Sequence, residues 1–320
     1  MLDFKQLEIC LKEKRFLDGL HEINNEIAHI KETNKLSYVK NWLSNVSSPK
    51  EFDTLIRLAD EGLMHQYSSF LIRYTYKKFP NMRTLSLYCD ELIDERKILD
   101  AEQLLKDSLE KVNEEETDAD VLTKTYFTLV RCLLDMKRNE EAYAYMQKAE
   151  KHSTRAVFDK WGYLYIQTGE WEKAEEQLLS GQQHKDCEEL ATYLLAQLYA
   201  YKGEQQRALQ LINDAIAKFP QVPYFYFEKV KYLLDLERYE EMLAVIDKIN
   251  HMLPHHAYTT YFIHLRAEAF YKMNNIHDLQ ALLKSEKSLK NSLYHHIEKN
   301  PDGKKVRLPI VPVVQKDNYC

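Results

Sequence analysis

The sequence predicts an all-α fold, an α-solenoid in which amphipathic helix pairs stack one on the next. Only 7 Gly and 8 Pro occur in 320 residues, too few for the turns that sheets and irregular folds require. Apolar residues recur three or four apart through most of the chain, the spacing of one helix face. The pattern itself recurs every 34 residues, as Pro220 and Pro254 show by each closing a helical segment.

Composition narrows the functions available. Hydrophobic residues make up 45%, enough for a continuous core. The net charge is -6, and Lys and Arg are interspersed with Asp and Glu rather than gathered in a basic block. That argues against a nucleic-acid partner held through its phosphates. The amino terminus, MLDFKQLEICLKEKRF, alternates charged with apolar residues, and no run of 18 apolar residues occurs. A soluble, cytoplasmic protein without membrane insertion is expected.

Counting back from the two prolines gives windows at 155–188, 189–222 and 223–256. Position eight of each is small or medium (Gly162, Ala196, Val230) and position eleven large (Tyr165, Tyr199, Leu233). Position twenty is Ala174, Ala208 and Met242, and position twenty-four Leu178, Ile212 and Ile246. Small residues at eight and twenty are expected to let the two helices of a window cross closely, with the large ones filling the space between pairs. Weaker copies occupy 49–81, 82–115 and 123–156. After residue 256 the frame slips by about three residues and resumes near 260. VNEEETDAD (112–120) reads as an exposed acidic loop between repeats, and SYVKNWLSNVSSP (37–49) as one extra helix.

The stretches WGYLYIQTGEWEKAEEQL (161–178) and YLLAQLYAYKGEQQRALQLINDAIAKFP (193–220) resemble the tetratricopeptide repeat family. Gly169, Gly203, Ala174, Ala208 and Pro220 all fall on its pattern, whereas Glu237 and Met242 replace Gly and Ala in the next window. The resemblance extends over residues 1–293 and implies a right-handed superhelix of about seven to eight helix pairs. It also implies that the first helix of each pair lines a concave wall that holds a protein or an extended peptide. Carried onto this chain, the groove positions are Phe127, Arg131, Tyr163, Gln167, Tyr193, Gln197, Tyr201, Tyr224, Phe227 and Lys231. Tyr163, Tyr193 and Phe227 are expected to form an aromatic ladder facing solvent. The alternative for any one ring is packing against a neighbouring helix. Positions five and nine hold Asp159 and Tyr163, Tyr193 and Gln197, Phe227 and Lys231, so the family's Lys and Asn clamp for chaperone tails is missing.

Catalytic and metal constellations do not assemble. There is no Gly-rich phosphate loop, HExxH or GxSxG, and no cofactor or metal is expected. The pairs His255 and His256, and His295 and His296, are adjacent; neighbours on a helix point about 100° apart and chelate poorly. Cys10, Cys89, Cys132 and Cys187 lie far apart in helical patterns and read as reduced, buried thiols.

Residues 294–320 change character: NPDG is followed by an apolar run in which Pro309 and Pro312 forbid helix. VPVVQKDNYC resembles the entry to a papain-like cysteine peptidase of the bacteriocin-leader type. That resemblance implies Cys320 as nucleophile and Gln315 in the oxyanion hole, with the Gln-to-Cys gap one residue short of the family pattern. The other reading is a plain tail with a chance Cys. The leading expectation is a peptide-binding scaffold, read also as the amino-terminal arm of a larger cysteine peptidase; the alternatives are a cysteine peptidase that processes the bound peptide, with its catalytic domain beyond this chain, and a receptor for a regulatory signalling peptide.

Overall fold

The computed structural model describes residues 4–13, 18–19, 46, 48, 51–56, 65–252 and 259–285. Among them every regular element is helical. They are α1 (Phe4–Lys12), α2 (His65–Lys78), α3 (Met82–Asp94), α4 (Ile98–Lys111), α5 (Ala119–Asp135), α6 (Asn139–His152) and α7 (Phe158–Thr168). They continue with α8 (Trp171–Gly181), α9 (Glu188–Tyr201), α10 (Gln205–Lys218), α11 (Pro223–Asp235), α12 (Tyr239–Met252), α13 (Thr259–Lys272) and α14 (Ile276–Ser285). Residues 51–56 form a further short helical stretch. The chain divides into two compact units, Met1–Tyr232 and Leu233–Cys320. The expected boundary between residues 293 and 294, and most of the extra helix at 37–49, lie outside the described residues.

In the first unit, α3 packs on α4, α5 on α6, α7 on α8 and α9 on α10. Each pair then packs on the next: α3 and α4 against α5, α7 against α5 and α6, and α9 against α7 and α8. Every pair therefore covers the face that its predecessor leaves open, which defines a solenoid. In the second unit α13 packs against α12 and α14.

The register follows the predicted windows. Second helices begin at Ile98, Asn139, Trp171, Gln205, Tyr239 and Ile276, the same position of windows that start at 82, 123, 155, 189, 223 and 260. The slip of frame after residue 256 and the longer step across the acidic loop are both present in these starts.

A single turn closes the two helices of each pair. The positive-φ residues of the described chain are Arg96 (62°), Lys137 (60°), Gly169 (80°), Gly203 (83°), Glu237 (55°) and Asn274 (55°), one at position fifteen of each window. Each turn carries the same two hydrogen bonds, as at Lys137, whose N–H donates to Leu134 O (2.9 Å) while Arg138 N–H donates to Leu133 O (2.9 Å). Gly203 N–H donates to Ala200 O (3.0 Å) and Glu204 N–H to Tyr199 O (2.8 Å). These satisfy carbonyls that the first helix otherwise leaves without partners. Only two of the six positions are Gly. Glu237, a departure from the family pattern, closes the turn in the same way.

Positions twenty and twenty-four are buried in every pair. Ala101, Ala142, Ala174, Ala208 and Met242 are fully covered, as are Leu105, Met146, Leu178, Ile212 and Ile246. Close approach within a pair is clearest at Gly162, where an added methyl would lie 2.3 Å from Leu178 Cδ2. The small residue at position eight therefore makes room for the large side chain at position twenty-four of its own pair.

Two predictions follow from this geometry. An L-residue in the left-handed region costs about 1–2 kcal/mol, offset in part by the greater freedom glycine loses on folding. Lys137→Gly and Glu237→Gly should each raise stability in urea unfolding by about 0.5–1 kcal/mol, while Gly169→Ala should lower it by a similar amount. Gly162→Ala should cost about 1–3 kcal/mol through overpacking. Combined with Leu178→Ala, its cost should fall well below the sum of the two single changes, because the second substitution removes the atoms it strikes.

Candidate functional site

The first helices α3, α5, α7, α9 and α11 carry the predicted groove positions, and the structure sorts these into two kinds. Gln167 and Tyr201 are exposed, and Phe127, Tyr163, Gln197, Tyr224 and Lys231 are half-buried. Arg131, Tyr193 and Phe227 are buried, with Tyr193 only 3% exposed. The expectation that Tyr193 and Phe227 form a solvent-facing ladder with Tyr163 is therefore corrected. The Tyr193 ring serves as the floor of the wall, because Tyr224 and Glu228 on the neighbouring first helix close over it.

Two clusters make up that wall. On α5 and α7, Phe127 and Tyr163 meet edge to face with ring centroids 5.8 Å apart, and Lys160 Nζ lies 5.7 Å from the centre of the Phe127 ring. On α9 and α11, Tyr193 and Tyr224 meet edge to face at 4.9 Å. Gln197 Nε2 donates to Tyr193 Oη (2.9 Å), and Lys231 Nζ pairs with Glu228 (2.6 Å), itself buried. Tyr224 donates its hydroxyl proton to Glu189.

Arg131 is held by its own chain. Its guanidinium donates to Asp90 Oδ1 (2.6 Å) and reaches Asp94 Oδ1 (3.4 Å), while Lys124 Nζ sits 2.5 Å from Asp90 Oδ2 and Thr128 Oγ1 donates to Asp90 at 3.1 Å. Burial works to raise the pKa of Asp90, but Lys124 and Arg131 win and hold it below the ordinary carboxylate range. Asp94 goes the other way: burial, with Asp90 and Glu91 beside it, pushes it up to about 6 against the pull of Arg131. Beneath these, Ser86 and Thr125 share a hydroxyl hydrogen bond of 2.7 Å. Arg131 thus braces α5 to α3 and is a positioning residue rather than a free ligand.

The sequence reading did not single out Asp90, Asp94, Glu189 or Glu228. Asp90 and Asp94 occupy inner positions nine and thirteen of the 82–115 window, so the frame could have found them. Glu228 falls at position six, outside the expected inner set, and no sequence signal marked it.

Nucleophilic chemistry finds no activated thiol among the described residues. Cys10, Cys89, Cys132 and Cys187 are reduced thiols, and all four are buried. Burial, then the charge of Asp90, pushes Cys89 up to about 12; burial, then Asp159, pushes Cys187 up to about 11; burial likewise raises Cys132. A thiol raised in this way is not a thiolate near neutrality. Gln315 and Cys320 lie outside the described residues, as do the two adjacent His pairs. Among the described residues no group of three or more His, Cys, Asp or Glu is placed to hold a metal ion, and no helix is long and apolar enough to cross a membrane.

No family model and no curated protein matches the sequence. Solved structures with a similar arrangement of helices include a thermophilic tetratricopeptide repeat protein from Thermus thermophilus, 17% identical, with a TM-score of 0.47 over 58% of this chain and 100% of that one. A tetratricopeptide repeat protein from Parabacteroides merdae is 14% identical, with a TM-score of 0.45 over 75% of this chain and 92% of that one. The TPR2AB domain of yeast Sti1, solved in complex with pHSP90, is 14% identical, with a TM-score of 0.31 over 77% of this chain and 92% of that one.

The Asp94 environment has a pH signature. Its folded-state pKa of about 6 lies above the ordinary value of 3.8, so its contribution to stability is present below about pH 4 and lost as pH rises through 6. Asp94→Asn should therefore raise the melting temperature at pH 7 and leave it little changed near pH 4, within the range where the fold persists. The side chain is 49% exposed, so solvent screening should keep the gain small, about 1 kcal/mol or less.

Proposed function

We propose that the wall formed by α5, α7, α9 and α11 binds an extended peptide segment of a partner protein, and that the chain acts as a scaffold holding that partner. The observation that supports this most directly is the surface offered by successive first helices. Tyr163 and Gln167 on α7 and Gln197 and Tyr201 on α9 present rings and amides in alternation, and Tyr201 is 40% exposed. Rings supply contact area at small entropic cost, and amides can pair with the unsatisfied backbone of an extended peptide. The buried ionic brace around Asp90 and the buried rings of Tyr193 and Phe227 hold this surface rigid before any ligand arrives, which lowers the ordering cost of binding.

The test uses the full chain and a peptide selected on it from a random display library. Tyr163→Ala and Tyr201→Ala should each weaken binding at least tenfold, about 1.4 kcal/mol, with the melting temperature nearly unchanged in Tyr201→Ala and modestly lowered in Tyr163→Ala, whose half-buried ring packs on Phe127. Tyr193→Ala should instead lower stability by about 3 kcal/mol or more, since it empties a buried site. If neither Tyr163→Ala nor Tyr201→Ala weakens binding while both remain folded, the peptide does not lie on this wall and the proposal fails.

A further inference from the structure

The acidic segment between α4 and α5 lengthens the chain beyond the 34-residue step, so packing of one repeat on the next does not account for it. The segment is exposed, as its composition predicts, with Asn113 to Glu116 all facing solvent. It is also tied down. Asn113 organises its turn, accepting from Glu115 N–H at its side chain (3.2 Å) and from Glu116 N–H (3.2 Å) and Thr117 Oγ1 (2.8 Å) at its carbonyl. Asp118 caps α5 by accepting from Val121 N–H (3.0 Å). Between these points the Glu114 carboxylate reaches back onto the repeat. It accepts the hydroxyl proton of Tyr126 on α5, and its other oxygen lies 3.2 Å from His152 Nε2 at the end of α6.

The surface under Glu114 is basic and aromatic. The His152 ring stacks on Tyr126 with centroids 5.7 Å apart and planes at 17°. Lys148 Nζ lies 4.9 Å from the centre of the Tyr145 ring and 5.9 Å from that of Tyr126. Lys151 stands in the same last turn, and Arg155 just beyond it pairs with Asp120 at 3.4 Å. Glu114 is held below the ordinary carboxylate range by the Tyr126 hydrogen bond first, with His152, Lys148 and Lys151 adding to it against the effect of burial. A glutamate whose side chain is 44% exposed thus meets a ring hydroxyl and an imidazole, with the charges of Lys148 and Lys151 from the same repeat acting on it at longer range.

We propose that the end of α6, with Tyr126, Tyr145, Lys148, Lys151 and His152, is a second docking surface that takes an acidic peptide, and that Glu114 occupies it as a built-in competitor. The charge complementarity that seats the loop defines the ligand: a carboxylate flanked by further acidic residues, as Glu114 is flanked by Glu115 and Glu116. The loop acts as an autoinhibitory strap. Its effective concentration is set by its short tether, so a free acidic segment must outcompete an intramolecular one. Opening the strap uncovers the Tyr126 hydroxyl and the His152 ring beside two ammonium groups that already face solvent. This surface is separate from the first-helix wall and does not rest on that reading.

The experiment uses the full chain and a fluorescent synthetic peptide with the loop's own sequence, VNEEETDAD, at low ionic strength, where charge attraction is least screened. The parent protein should bind it weakly. Glu114→Ala should bind it at least tenfold more tightly, and amides 113–117 should exchange faster with solvent as the loop is released. Adding Lys148→Glu and His152→Ala to Glu114→Ala should return binding to the parent level or below, with circular dichroism verifying that helix is retained. Tyr163→Ala and Tyr201→Ala should leave this binding unchanged, which separates it from the wall. Unaltered exchange in Glu114→Ala would show that Glu114 is no strap. Faster exchange with no gain in peptide binding would show that the patch is not a docking surface, and either result overturns the proposal.

Discussion

The left-handed turn at position fifteen is the constraint on which the other features depend. One residue with positive φ reverses the chain, and two hydrogen bonds return to the last carbonyls of the first helix. That geometry sets where the second helix begins, and so which of its side chains face the first. Ala at position twenty and the large residue at twenty-four come into register only because the turn has one length and one shape. Four of the six turns use Arg, Lys, Glu or Asn at this position, so tertiary packing outweighs the local cost of about 1–2 kcal/mol for each L-residue. The repeat therefore tolerates the loss of its signature glycine more readily than a change in the number of residues in the turn.

The first-helix wall shows how charge is used once such pairs are stacked. Asp90 is buried but bound by Lys124, Arg131 and Thr128, which removes the penalty of an isolated carboxylate. Asp94 shares the same guanidinium at longer range and is left incompletely compensated. One cation thus serves two acids on one neighbouring helix, and the outer acid is the less stabilised. Glu228 plays a related part between Lys231 and the Tyr193 ring, where its carboxylate lies 3.5 Å from the Tyr193 hydroxyl. These polar braces fix the orientation of one repeat against the next, a task that apolar packing alone does poorly because it has no direction.

The acidic loop differs from the rest in its chemistry. The connections at 153–157, 182–187 and 219–222 carry no such cluster of acids. Here the extra residues carry charge, and their partner is a basic helix end where the macrodipole already favours cations. Electrostatic attachment of this kind is weaker and more readily reversed than burial, since no large apolar area opposes release. An element held in this way can be exchanged for another of like charge without disturbing the core below it.

The sequence by itself determined the helical class, the 34-residue register, the slip after residue 256 and the buried set at positions twenty and twenty-four. Each of these is written in short-range periodicity, because helix faces and pair closure depend on residues within one window. Only the tertiary structure decided which inner side chains remain open. Tyr193 at position five and Tyr163 at position nine are both inner positions of the frame, yet one is 3% exposed and the other half-buried. Arg131 reads as a groove cation until Asp90, 41 residues away, is seen to hold it. The docking of Glu114 on Tyr126 and His152 was equally invisible. The physical reason is common to all three: contacts between repeats depend on how far one helix pair rotates against the next. That rotation is set by the summed packing of two windows, which no spacing inside either one records.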